Sequence, residues 1–222
     1  MDWEAFALSL RLGALTVLLL IPLAILAGRA LAVSRSRGKP AIEALVMLPL
    51  VLPPTVLGFY LLSGFGAGSF AGRAFEAVFG TSLVFTFEGL LLASLIVNIP
   101  FAMQPIQRAF EAVGPELREA SASCGNGWWR SLWRIELPLA WPGILTGMAL
   151  TFAHTLGEFG VVLMVGGSIP GETRTISIAI YDRVQAFDDA AAGEMAALLL
   201  AISLATIALT FFLTQRIGRR HG

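Results

Sequence analysis

EASASCGNGWWRSLWRIELP, Glu119 to Pro138, is a polar, charge-bearing stretch lying between apolar runs. Its approach has the grammar of a short helix. Pro115 follows Gly114 and suits the first helical position, where a missing N–H is no loss. Glu116 and Glu119 then sit near the positive end of the helix dipole. Ala120, Ser121, Ala122 and Ser123 are small enough to let a partner approach closely. Gly125 is placed to end the helix, and Asn126-Gly127 is a turn signal. A second short helix carries Trp129 and Trp133 four apart, interleaved with Arg130 and Arg134. That mixture suits the headgroup level of a bilayer. Leu137-Pro138 opens the next apolar run, so the stretch reads as a surface device between two membrane spans.

The rest of the chain agrees with a membrane setting. Only 14% of the 222 residues are charged and 56% are hydrophobic, against roughly 25% charged in a soluble domain. Mean hydropathy is +0.78. Net charge is zero, which gives no support for a nucleic-acid partner. The single Cys124 excludes an internal disulfide and supplies no metal cluster. The expectation is an all-α integral membrane protein in one domain, residues 1–222.

Five spans are expected. Residues 12–28 carry no charge and extend to Val33, enough for the ~30 Å hydrocarbon core. The N-terminus, Met1-Asp2-Trp3-Glu4, is acidic where a signal peptide would be basic, so this span is read as retained. A second covers about 41–63 and contains LPLVLPPTVLGFYLL. Pro49, Pro53 and Pro54 inside it predict a kinked or interrupted helix, which a bilayer tolerates only beside neighbours or a cavity. It is equally a structural kink or a lining for a transport path near Thr55. Residues 64–82 read as a Gly-rich external loop. The third span is about 83–106, with Glu88 near its outer end and Asn98 and Pro100 inside. The fourth is about 139–165. Residues 166–193 are polar and turn-rich, with a short amphipathic helix near Ile176–Val184, and the last span is about 194–215. A sixth, from a split around 58–80 or at Glu158, stays open.

Charge sets the expected orientation. With the N-terminus outside and the C-terminus cytoplasmic, only Arg11, Arg73, Arg174 and Arg183 of the fifteen basic residues fall outside. Arg216, Arg219 and Arg220 then lie inside, as the positive-inside rule asks. The loop 107–138 becomes cytoplasmic. In the fourth span Thr151, His154, Thr155 and Glu158 fall on one helical face. Intramembrane Glu and His must face protein or water. The stripe is either a passage or gate, with Asn98, or interhelical bonding that locks the bundle. The second reading is favoured for His154 and Glu158, because a fixed carboxylate repels an anion.

Glu119-Ala120-Ser121, three residues, Gly125, nine residues, then Ile135, Leu137 and Pro138 resemble the EAA loop of ABC-importer permeases. The one departure is Ser121 for Ala. The resemblance implies a coupling helix docked on a cytoplasmic ATPase; an ordinary interfacial helix–turn–helix is the bland alternative. A second resemblance is carried by His154-Thr155-Leu156-Gly157-Glu158-Phe159-Gly160 and Ile169-Pro170-Gly171-Glu172-Thr173-Arg174-Thr175-Ile176. With the LPLVLPPTVLGFYLL run, these are similar to the molybdate permease subfamily. Sulfate permeases share the first motif more than the second.

The resemblances imply a type I ABC importer transmembrane domain in the bacterial inner membrane. Its partners would be a second copy of itself, an ATPase dimer, and a periplasmic or lipid-anchored molybdate-binding protein. The cargo would be molybdate, with tungstate, a similar oxyanion. No G-x-x-x-x-G-K-[ST] phosphate loop occurs, so ATP and Mg would be held by the ATPase, with no cofactor on this chain. The spans hold almost no basic residues at depth, so transient contacts, for instance from Thr55, would pass the anion. Competing readings are a sulfate or other anion permease, and a secondary transporter using Glu158 and His154 as a proton relay. A membrane-embedded enzyme has no nucleophile–base pair in its favour.

Overall fold

Asp2 opens the first helix, its carboxylate accepting the Ala5 N–H at 3.0 Å. That helix, α1, runs Trp3–Val33. The computed structural model describes residues 1–218, and among these the regular structure is all helix. Arg219 and Arg220, counted above for orientation, lie outside the described residues. After α1 come α2 (Lys39–Val51), α3 (Pro54–Phe65), α4 (Phe70–Phe79) and α5 (Phe87–Ala112). They are followed by α6 (Pro115–Ser123) and α7 (Trp128–Ser131), which passes through a wide turn, Leu132–Glu136, into α8 (Leu137–Gly157). Then come α9 (Gly160–Gly166), α10 (Ile176–Gln185) and α11 (Asp189–Gly218).

Four helical stretches are long and apolar enough to cross a membrane: Trp3–Val33, Phe87–Ala112, Trp128–Gly157 and Asp189–Thr214. The pair α2 and α3 makes a fifth if counted as one span, but it bends by 107°. Proline chemistry explains the break. Leu52 and Pro53 each precede a proline and are driven to extended backbone, with ψ of 139° and 135°. Pro54 then occupies the first turn of α3, and the Pro53 carbonyl accepts from both Val56 and Leu57.

Helices α1, α5 and α8 form the centre. Leu20, Ile21 and Ala24 of α1 pack with Ala102, Ile106 and Phe110 of α5 and with Ala140 and Ile144 of α8. Small residues set the spacing, since helices in lipid associate through close backbone packing. A Cβ on Gly143 would lie 2.6 Å from the Pro105 carbonyl oxygen, and one on Gly147 3.1 Å from that of Ala102. By contrast α11 is unburied along its apolar window, as a helix facing lipid can be.

Two expectations need correction, and the sixth span left open meets no further helix long enough to cross among the described residues. The stretch 64–82 is not simply a loop: α4 forms there, capped by the Ser69 hydroxyl and ended by Gly80 at φ 72°. Its glycine-rich flanks obscured an amphipathic core with exposed Phe70 and Phe79. The fourth span does not continue to 165. The continuous helix that carries it begins in the loop at Trp128 and stops at Gly157, where Glu158 turns extended and the chain restarts as α9. Finally, α4 with ten residues and α9 with seven are too short for a sixth crossing, since seven residues rise about 10 Å.

Candidate functional site

The Glu119–Pro138 stretch builds a small projecting structure on one end of the bundle. Helix α6 starts at Pro115 and closes with Cys124 as its last half-helical residue. Gly125 sits at φ 76°, a conformation that costs an ordinary L-residue. Its N–H bonds the Ala122 carbonyl, and the Asn126 N–H bonds that of Ser121, at 2.9 and 3.1 Å. This is the Schellman arrangement that satisfies the carbonyls a helix end leaves bare.

The motif residues divide by exposure. Glu119, Ala120 and Gly125 face solvent, as a surface offered to another molecule must. Ser121 faces inward and is buried, its hydroxyl without a hydrogen-bond partner. Ile135 and Leu137 are half-buried and Pro138 is exposed at the start of α8. Trp129 and Trp133 stay exposed too, while Trp128 lies under the Arg29 guanidinium at 4.8 Å from its ring centroid.

The residue between Ile135 and Leu137 is an unspecified position of the motif. Glu136 is wholly buried and carries the densest polar contacts of this end. Its two oxygens accept from Arg29 Nη2 at 2.6 Å and Nε at 2.9 Å. Arg118 Nε adds 3.0 Å and the Ser131 hydroxyl 3.3 Å. Arg118 also donates to the Phe110 carbonyl at 2.5 Å. A second set joins α2 to α5: Lys39 Nζ lies 3.0 Å from Glu111, and Gln107 bridges Glu111 and Glu43. A motif read as spacing carries no information about these partners, which lie up to 107 residues away.

The second candidate region lies where the two broken helices meet. The start of α9 packs on the start of α3, and a Cβ on Gly160 would come within 2.8 Å of Pro54. A cavity of about 100 Å³ forms between the breaks, lined by Pro49, Leu57, Phe101, His154 and Glu158 among others. Glu158 caps α9 by accepting the Val161 N–H at 2.9 Å, and Ser177 donates to its carbonyl at 2.7 Å. Glu158 therefore does not continue the helical stripe of Thr151, His154 and Thr155; the backbone break turns it to a different task.

The stripe residues that remain on α8 point into the bundle. His154 stacks on Phe101, with ring centroids 3.9 Å apart, and its Nδ1 lies 3.2 Å from Asn98 Oδ1. Asn98 donates to the Ser94 carbonyl, and the Ser94 hydroxyl meets that of Thr16 at 2.9 Å. Thr155 donates back to the Thr151 carbonyl, a common way for a helix to bury a hydroxyl. Thr151 is buried with its own hydroxyl unpartnered. Of the six pore candidates only Thr55 is exposed, in the first turn of α3. Thr16 and Ser94, which join the polar ladder, lacked any local signal.

A family model described as "Binding-protein-dependent transport system inner membrane component" matches residues 20–221. The chain belongs to this family. The permease is accordingly an inner-membrane protein. It is 46% identical over 195 residues to the molybdenum transport system permease protein ModB of Azotobacter vinelandii, covering 88% of this chain and 86% of that one. Against ModB of Escherichia coli K12 identity is 37%, covering 98% and 94%. Against the sulfate transport system permease protein CysT of the same organism it is 36%, covering 84% and 67%. In structure the permease resembles a bacterial ABC transporter that imports alginate, with TM-score 0.75 at 17% identity, covering 96% of this chain and 79% of that one. The fold is that of an ABC importer transmembrane domain.

Proposed function

We propose that this permease forms the membrane path of an ATP-driven molybdate importer, with tungstate as an alternative cargo. The observation that carries the substrate is the similarity to molybdenum permeases over nearly the whole of both chains. The sulfate reading is second, supported by a match of comparable identity but shorter reach.

The loop supports the mode of action. Helix α6 presents Glu119 and Ala120 outward on a rigidly capped turn, which suits docking in a cleft of a cytoplasmic ATPase subunit. In this reading the 107–138 side is cytoplasmic and the N-terminus is outside. Two copies of the permease enclose the path, two ATPase subunits supply ATP and Mg chemistry, and a binding protein delivers the anion from the far side. The exposed Val51 and Thr55 at the break between α2 and α3 are the surfaces best placed to face the second copy and the path. ATP binding closes the ATPase dimer, and the coupling helices carry that motion so that the path opens outward. Hydrolysis returns it inward. Nucleotide and loaded binding protein thus bias one two-state element.

No lysine or arginine lines the cavity between the broken helices. A dianion therefore finds no strong well there, and selectivity falls to the binding protein. The deciding experiment is ATP-dependent uptake into vesicles holding the permease, its ATPase and its binding protein, with molybdate, tungstate and sulfate supplied separately. Uptake of the first two with little sulfate is expected. Sulfate-dominated uptake removes the substrate reading, and ATP-independent uptake driven by pH removes the coupling reading.

A further inference from the structure

Glu136 joins parts of the chain that otherwise have no reason to move together. Arg29 belongs to the last turns of α1, Arg118 to the coupling helix, Ser131 to α7, and Phe110, which receives the second Arg118 bond, to the end of α5. Helix α6 has little packing of its own to hold it. Ser121 is its one buried residue, and it projects beyond the bundle. An ion-paired anchor is therefore the principal link between α6 and the spans. The wide turn Leu132–Glu136, closed by the Leu137 N–H reaching back to the Leu132 carbonyl, inserts one residue at the mouth of α8. Such turns change which side chains face inward and recur at functional positions.

We propose that Glu136 is a positioning residue that makes the coupling helix and the end of α1 move as one body. Displacement of α6 by the ATPase is thereby delivered to the central span as well as to α8. This rests on the coupling reading given above. The chemistry favours a stiff joint. Arg29 grips the carboxylate with two parallel bonds, which fix direction as well as distance, and the side-chain exposures of Arg29 and Glu136 are 10% and 0%. Arg118 is the α6 side of the joint. Its side chain is 20% exposed, and removing its charge leaves a neutral Arg29–Glu136 pair, so no uncompensated ion is buried.

Arg118→Gln is therefore the test, made in the complex of permease, ATPase and binding protein in vesicles, with Arg118→Lys as the conservative rescue. The ratio of oxyanion taken up to ATP hydrolysed is expected to fall about tenfold in Arg118→Gln, within the usual range of coupling energies. Hydrolysis continues, and Arg118→Lys recovers most of the ratio. A residue that only supported folding would lower uptake and hydrolysis together, in step with the amount of complex. Spin labels at positions 33 and 122, in a Cys124→Ser background, supply the second readout. Their separation is expected to stay constant between nucleotide-free and ATP-bound states with Arg118 present, and to shift between those states in Arg118→Gln. An unaltered ratio, or a separation that changes with nucleotide despite Arg118, overturns the proposal alone. If the wild-type complex shows no ATP-driven uptake, the coupling reading falls and the proposal with it.

Discussion

The loop end and the middle of the bundle handle a buried carboxylate in opposite ways. At the loop end a wholly buried Glu136 accepts from two guanidiniums and a hydroxyl. In the middle, His154 Nε2 and Glu158 Oε2 stand 3.7 Å apart, and Thr151 has a buried hydroxyl with nothing to bond. A saturated ionic site resists rearrangement, because any motion that breaks it exposes charge to a low dielectric. A sparsely bonded one can exchange partners at little cost. The contrast teaches where this protein is stiff and where it can bend. In the coupling reading proposed above, force would enter through the stiff end, and the helix breaks around Pro53 and Glu158 would supply the joints.

The strongest blow to that contrast is Glu136→Leu. It leaves Arg29 and Arg118 facing each other without a counter-charge, a loss of about 3–5 kcal/mol for breaking a buried ion pair. Thermal unfolding of the detergent-solubilised permease should drop sharply, with reduced recovery of complex. A melting curve like that of the unaltered protein would show that the site is not rigid.

Gly125→Val probes the cap of the same loop. A β-branched residue at φ 76° costs roughly 1–2 kcal/mol in the left-handed region. The expected result is a modest loss of stability with a clear loss of uptake per ATP, read from paired uptake and hydrolysis assays. Unchanged uptake would separate the loop's capping geometry from its task.

In the middle, Glu158→Leu deletes the cap of α9 and should cost on the order of 1 kcal/mol. The expected effect on melting is smaller than that of Glu136→Leu. Hydrogen exchange should quicken at the start of α9 without spreading to α6. If it spread there, the two regions would not be mechanically separate.

Ser121→Ala and Thr151→Val are the finest comparison, one in each region. Each removes a buried hydroxyl that makes no hydrogen bond. Both should be neutral or stabilising by up to about 1 kcal/mol, since the desolvation cost of an unpaired group disappears. A substantial loss at Thr151 alone would mean that its hydroxyl is used in another conformation of the path.

Much of this was legible without coordinates because it depends on local chemistry. Consecutive prolines at 53 and 54 dictate a break whatever surrounds them, and Gly125 before Asn126-Gly127 dictates a helix end. The amphipathic helix expected near Ile176–Val184 forms as α10, Ile176–Gln185. Helix α4 is hidden in the sequence because glycine-rich flanks outweigh its ten-residue amphipathic core. The stop of α8 is hidden because the spacing of Thr151, His154, Thr155 and Glu158 suits a continuous helix. At the break Glu158 is held by the Val161 amide three residues on and by Ser177, which the tertiary fold brings beside it.

That this is a helical membrane protein, broken at its prolines and carrying a capped polar loop between two apolar spans, follows from the order of residues alone. Hydropathy, proline and glycine act through residues a few positions apart, so their consequences are written locally. Tertiary structure alone decided which polar residues meet. Arg29 reaches Glu136 across 107 positions and Asn98 reaches His154 across 56. Such partners are chosen by how α1, α5 and α8 pack, and the glycines that set that packing carry no mark of which charge will be brought to which.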